Sequence, residues 1–266
     1  MARKIKIQQK VQLFIMGPSI LIYFIALGYI SFNSRKSAYE EATKLTDMYV
    51  SESAKVVKSS LDVDMSLVKT LSNAFLIYED LPDEKWQDLF LNMYQNVLAN
   101  NPHIYNLWDS WELSVIDPSW QKTHGRLAME CWRENGTLKQ NKSYRSMEKE
   151  AEVYDKIIKP RRIQSIWEPY FDIEAANKSE QYLMTTLNSP ILKGDTYIGI
   201  VAIDITLDKF QALVEKLSPF TGSYAFMISN GGIIAGHPKK ELLNKNIMEL
   251  LPEDCKNNNE SSLKRY

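Results

Sequence analysis

Residues 196–210 read Thr-Tyr-Ile-Gly-Ile-Val-Ala-Ile-Asp-Ile-Thr-Leu-Asp-Lys-Phe, and the reading of this stretch decides the fold. Tyr197 to Ile203 is an almost unbroken apolar and β-branched run, the pattern of a strand buried on both faces. Asp204 interrupts that run just before its end. A buried carboxylate without a partner costs several kcal/mol or more, so Asp204 requires either local donors or a cationic ligand. Thr206 stands where it could cap a helix beginning at Leu207, which leaves Asp204 to face a pocket.

Two further strand-like segments rich in aromatics, Ile104 to Leu113 and Leu127 to Arg133, precede a third at Tyr182 to Leu192. Asn135-Gly136 predicts a tight hairpin turn after the second of these. After a helix over Leu207 to Leu217 the strand pattern restarts, with Ser223 to Ser229 and Ile233 to Pro238 around the turn Asn230-Gly231-Gly232. Lys240 to Leu251 reads as a short helical connection, so this second module reads as incomplete.

Upstream, no glycine or proline occurs between Gly28 and Pro82. Apolar positions recur there at threes and fours (Ala38, Ala42, Leu45, Tyr49, then Ala54, Val57, Leu61, Met65, Val68, Leu71, Phe75), which predicts one long helix. Such a helix can serve as a stalk, a dimer seam or the spine of a domain. A shorter amphipathic helix is expected from Asp83 to Leu98.

The chain has 266 residues, is 44% hydrophobic and carries a formal net charge of −1, enough to bury a core and without a bulk basic signal for nucleic acid. Its charge asymmetry is local. Arg3, Lys4, Lys6 and Lys10 precede the uncharged run Val11 to Phe32, which spans a bilayer at about 1.5 Å per residue. The run exceeds the apolar region of about 7–15 residues in a signal peptide and lacks a small-residue cleavage site, so a retained anchor is expected. The basic flank places residues 1–10 in the cytoplasm and residues 33–266 outside the inner membrane. The expected divisions are a basic tail (1–10), a transmembrane helix (11–32), a long helix (33–80), a membrane-distal module (81–217) and an incomplete membrane-proximal module (218–266).

Cys131 and Cys255, far apart in sequence, exclude a disulfide scaffold. His103, His124 and His237 are scattered without metal-ligand spacing, and no P-loop, Gly-x-Ser-x-Gly turn or dinucleotide fingerprint occurs. No enzyme activity, cofactor or metal is therefore expected. All six tryptophans lie between Trp86 and Trp167. Each alone is readily a core residue, but together with Tyr154, Tyr170 and Tyr182 they could line a concave site. Trp167-Glu-Pro-Tyr-Phe-Asp172 places Tyr170 and Asp172 at strand spacing, so both side chains would share a face. With Asp204 opposite, two carboxylates and a phenol would surround an ammonium group.

The long anchored helix, Asn101-Pro-His-Ile-Tyr105, Trp111-Glu112, Gly125-Arg126, Asn135-Gly136, Trp167 to Asp172, Tyr197 to Ile205 and Gly232 to Pro238 together resemble the double Cache sensor domains of bacterial chemoreceptors and sensor kinases. The resemblance covers roughly residues 37–252. It implies an α+β fold of two stacked modules, each a PAS-like antiparallel sheet, leaning on the long helix. It also implies ligand binding in the distal module. In amino-acid-binding members a tyrosine-x-aspartate pair and a later strand aspartate hold the amine, matched here by Tyr170, Asp172 and Asp204. Tyr154 matches a tyrosine on the carboxylate side, whereas Ala151 and Val153 stand where an arginine and a tryptophan would fall. The resemblance thus implies an amine or amino-acid-like ligand, or another small metabolite held with help from Arg126 or Arg145.

Trp108, Trp111, Trp132 and Trp167 supply candidate walls. The expected partners are a small-molecule ligand, the membrane and a second copy paired through the long helix. The output could be chemotaxis, phosphotransfer or cyclic-dinucleotide turnover. A membrane-tethered scaffold with a vestigial pocket is the alternative, and an apolar pocket without converging polar groups would support it.

Overall fold

The computed structural model describes residues 7–82, 85–146, 154–171, 182–218 and 220–250. Contacts divide the chain into two units with the boundary between Ala54 and Lys55. The N-terminal unit is helical throughout its described residues and belongs to helix α1, Ile7–Ala74, which includes Pro18. Large apolar side chains along it are exposed, Phe14 at 82% and Phe32 at 71%, and the helix is long and apolar enough to cross a membrane.

The second unit begins with the remainder of α1, where Val68 and Leu71 are buried. A 3-10 turn, Phe75–Asp80, ends the helical run before Pro82. Helix α2, Lys85–Asn100, buries Trp86, Phe90, Leu91, Tyr94 and Leu98 at the spacing expected of an amphipathic helix.

The main sheet contains β1 (Ile104–Glu112), β2 (Arg126–Glu134), β3 (Thr137–Arg145), β4 (Ser165–Ile166), β5 (Tyr170–Phe171), β6 (Leu183–Lys193) and β7 (Thr196–Thr206). Its spatial order is β3-β2-β1-β7-β6-β4, with β5 also on β6, and every pairing is antiparallel. The short helix α3, Leu113–Ile116, follows β1, and one π-helical turn, Tyr154–Ile158, lies between β3 and β4. β7 sits at the centre and is buried from Tyr197 to Ile205, as the apolar run from Tyr197 to Ile203 predicts. Asn135 and Gly136, at φ 49° and 76°, close the β2–β3 hairpin as the sequence predicts.

Alternation divides the sheet into two faces. Leu107, Asp109 and Trp111 of β1, with Leu127, Met129 and Cys131 of β2, are buried against α2 and the end of α1. Asn106, Trp108, Ser110 and Glu112 point the other way, toward the segment 154–171. The core face is dominated by aromatics. Phe75 stacks on Phe90 at 4.5 Å, and Trp111 lies 5.0 Å from Trp86 and 5.1 Å from Tyr78. Trp111, expected from the sequence to be a candidate wall, is fully buried in this cluster because its position in β1 has the parity of the core.

After β7, helix α4 (Asp208–Lys216) begins one residue later than expected. Leu207 occupies its N-cap without a side-chain cap bond, so Thr206 ends the strand rather than capping the helix. The restart of the strand pattern appears as a small hairpin, β8 (Met227–Ile228) and β9 (Ile234–Gly236). It is clamped to α4 by Gln211, whose amide donates to the carbonyl of His237 at 2.8 Å and accepts from its N–H at 2.9 Å. The expected helical connection after it resolves into a 3-10 turn, Lys240–Leu242, and helix α5, Ile247–Leu250. Cys131 is buried and free, and Cys255 lies outside the described residues.

Candidate functional site

Register builds the site. Asp204 of β7 stands directly between Asn106 of β1 and Thr186 of β6, and Trp132 of β2 extends the row beyond Asn106. The next row holds Glu130, Trp108, Ala202 and Asn188. Four strands therefore deliver polar and aromatic groups to one patch of a single face.

Asp204 is 4% exposed. Its Oδ1 accepts from Thr186 Oγ1 at 2.6 Å and from Tyr170 Oη at 3.3 Å. Its Oδ2 accepts from Trp108 Nε1 at 3.0 Å and Asn106 Nδ2 at 3.2 Å. Burial nevertheless pushes its carboxyl up to about 6, because these donors offset only part of the lost solvation and no cation acts on it among the described residues. The local donors demanded by its burial are present, and the two longest bonds leave room for a stronger donor to displace them.

Asp204 opens onto a cavity of about 680 Å³. Tyr105, Trp108, Trp132, Tyr170 and Met184 form much of its wall, and Glu130 and Arg145 also line it. Asn106 Oδ1, a buried acceptor on the same wall, has no hydrogen-bond partner among the described residues. An acceptor left bare in this way costs free energy until a donor arrives. A carboxylate, an unmet amide oxygen and four flanking aromatic side chains suit a cationic donor such as an ammonium group.

The sequence-predicted residues fall into three groups. Tyr170, Asp204 and Trp132 converge on the cavity. Asp172 and the side chain of Tyr154 lie outside the described residues. Trp111 and Arg126 are absent from the cavity lining, Trp111 because it belongs to the opposite face. Arg126 is 2% exposed and donates from Nη1 to Glu112 Oε1 at 2.7 Å and from Nε to Ser110 Oγ at 2.9 Å. Lys159 also reaches Glu112, at 3.1 Å. Arg126 is thus a member of a buried ion-pair network, so it is not available as a ligand cation in this arrangement.

Asn106 and Thr186 escaped sequence reasoning because nothing local marks them. Only the pairing β1–β7–β6 puts them beside Asp204. The converging polar groups also lack the apolar signature expected of a vestigial pocket. Among the described residues no group of three or more His, Cys, Asp or Glu could hold a metal.

On the core face a second carboxylate, Asp109, accepts from Tyr94 Oη and, at 3.2 Å, from the Met129 N–H. Complete burial pushes it up to about 7.

Comparison with known proteins falls on this same region. Residues 90–212 match the family model "Methyl-accepting chemotaxis protein-like, first PDC sensor domain". The methyl-accepting chemotaxis protein PscA of Pseudomonas syringae pv. tomato is 32% identical over 87 residues, which are 33% of this chain and 13% of that protein. The chain thus matches only about 13% of the length of its curated relatives. Among solved structures, Methyl-accepting Chemotaxis protein X superposes with a TM-score of 0.63 at 16% identity, covering 82% of this chain and 81% of that one. The ligand-binding domain of the amino acid chemoreceptor PctC of Pseudomonas aeruginosa PAO1, solved with GABA, gives 0.50 at 22% identity over 76% of this chain and 78% of that one. The chain therefore shares the fold of chemoreceptor ligand-binding domains over most of its length, and the family match at residues 90–212 takes in the main sheet with Asp204 and its cavity.

Proposed function

We propose that the chain is the extracytoplasmic input of a membrane-anchored signalling receptor and that its ligand is a small molecule bearing a cationic amine. The observation that carries this reading is Asp204: a buried carboxylate, held without a cationic partner among the described residues, on the wall of an aromatic cavity. GABA, bound by PctC, carries an ammonium group, which is the chemistry proposed here. Tyr170 flanks the amine, Trp108 and Trp132 cover it, and Asp172 and Tyr154 extend the site. The hairpin β8–β9 opens a second, membrane-proximal module, residues 33–266 face the periplasm, and the receptor does not itself catalyse a reaction.

A thermal-shift screen of the full chain in nanodiscs, with amino acids, amines and amine-free carboxylates, tests the reading. Amine-bearing compounds stabilise the parent, and Asp204→Asn, close to isosteric, weakens them by about 1.5–3 kcal/mol. The effect depends on pH with a definite sign. Protonation near 6 removes the negative charge, so affinity for an amine falls as the pH drops through about 6 and levels off above it. Stabilisation by amine-free carboxylates alone, or equal binding by Asp204→Asn, overturns the amine assignment.

The receptor pairs with a second copy through α1, whose apolar positions Leu45, Tyr49, Val56 and Val63 are exposed in the single chain, Val63 at 67%. Single cysteines placed along residues 38–54 crosslink with helical periodicity. An aperiodic pattern, or no crosslinking, would instead identify a monomeric stalk.

A further inference from the structure

A second cavity, of about 410 Å³, lies on the same sheet face and shares no lining residue with the Asp204 cavity. Trp167 lines it, and its ring lies 6.2 Å from that of Trp108, which lines the Asp204 cavity, so an aromatic pair stands between the two.

The chemistry of this cavity is opposite in sign. Asn188, 3% exposed, accepts from Ser165 Oγ at 2.9 Å through Oδ1. Its Nδ2 is buried and has no hydrogen-bond partner among the described residues. Arg161, exposed at the wall, is the basic residue of the lining and makes no side-chain hydrogen bond or ion pair among the described residues. The acidic residue of the lining, Glu168, is occupied by Ser229 Oγ and by the Gly231 N–H, the latter at 3.0 Å. Ile158, Ile166 and Ile200 supply apolar wall. A bare amide donor and an unpaired guanidinium beside aliphatic side chains call for an acceptor-bearing anion with a short apolar tail.

We infer that this cavity is a second ligand site, which takes a small aliphatic monocarboxylate. Asn188 Nδ2 donates to the carboxylate, Arg161 supplies the counter-charge, and the isoleucines cover the tail. The site is distinct from the amine site proposed above, since the two cavities share no lining residue.

Butyrate and butylammonium, matched in tail length and opposite in charge, are the probes. The full chain in nanodiscs is titrated with each by calorimetry, while tryptophan emission reports on Trp167. Butyrate binds the parent and perturbs the emission. Arg161→Gln, an exposed substitution that leaves the core untouched, weakens butyrate about tenfold or more, in line with the loss of a charged hydrogen-bond donor. Asn188→Leu, which removes the donor, does the same, and Asp204→Asn leaves butyrate binding unchanged while affecting only amines. No binding of butyrate overturns the proposal, as does equal affinity in Arg161→Gln. Loss of butyrate binding in Asp204→Asn also overturns it, because the carboxylate would then occupy the first cavity. Failure of butylammonium to bind bears only on the amine site.

Discussion

Trp111→Ala is expected to destabilise the chain by about 3–5 kcal/mol, the range for truncating a large aromatic in a packed core. Its ring is fully buried, with Trp86 and Tyr78 at about 5 Å and Phe75 and Phe90 each at 6.2 Å, so none of the space left behind is reachable by solvent. Against a typical total of about 5–15 kcal/mol, such a loss brings the sensor fold close to its limit. Trp111→Phe keeps most of the packing and leaves the response to amine ligands intact. Urea titration followed by far-UV circular dichroism measures the first effect, and the ligand thermal shift measures the second. If Trp111→Phe retained stability but lost ligand binding, Trp111 would be a pocket wall after all.

Arg126→Met carries the other large effect. Removing one partner of a buried ion pair strands the other, at a cost of about 3–5 kcal/mol. Here Glu112, 3% exposed, would keep only Lys159 among the described residues, at 3.1 Å, a partner that is itself partly exposed. The double change Arg126→Met with Glu112→Leu is expected to recover much of the loss, because no buried charge then remains uncompensated. Neither variant should alter amine affinity, since Arg126 and Glu112 are absent from the lining of the Asp204 cavity. A cost below about 1 kcal/mol for Arg126→Met would show that Lys159 alone satisfies Glu112. A selective loss of ligand binding would return Arg126 to the role suggested by family resemblance.

Local signals in the sequence were strong enough to place most elements. The continuous run from Tyr197 to Ile203 identified the central strand, and Asn135-Gly136 identified a hairpin whose two turn residues have positive φ. The absence of glycine and proline after Gly28 identified the long helix. Asp204 was legible for a different reason: a charge inside an apolar run demands compensation wherever the chain folds. Its partners were not legible. Asn106 and Thr186 lie 98 and 18 residues away in sequence and meet Asp204 only through strand order and register. Trp111 shows the same limit from the other side. Composition marked it as an aromatic in the right region, but a strand does not announce which of its two faces will meet a helix. The second cavity was equally hidden, since Asn188 and Arg161 acquire meaning only when the segment 154–171 is laid over the sheet.

The parity of β1 has a consequence for how a chain of this fold can diversify. From Asn106 to Trp111 the strand carries two interleaved sets, one packed in the core (Leu107, Asp109, Trp111) and one on the face of the Asp204 cavity (Asn106, Trp108, Ser110). Substitution at the second set can retune what is sensed while the first keeps the scaffold intact. Insertion or deletion of a single residue exchanges the two sets at once, sending Trp111 toward the cavity and Trp108 into the helices. New ligand specificities on this frame should therefore arise by point replacement within the central strands, with changes in length confined to the loops between them.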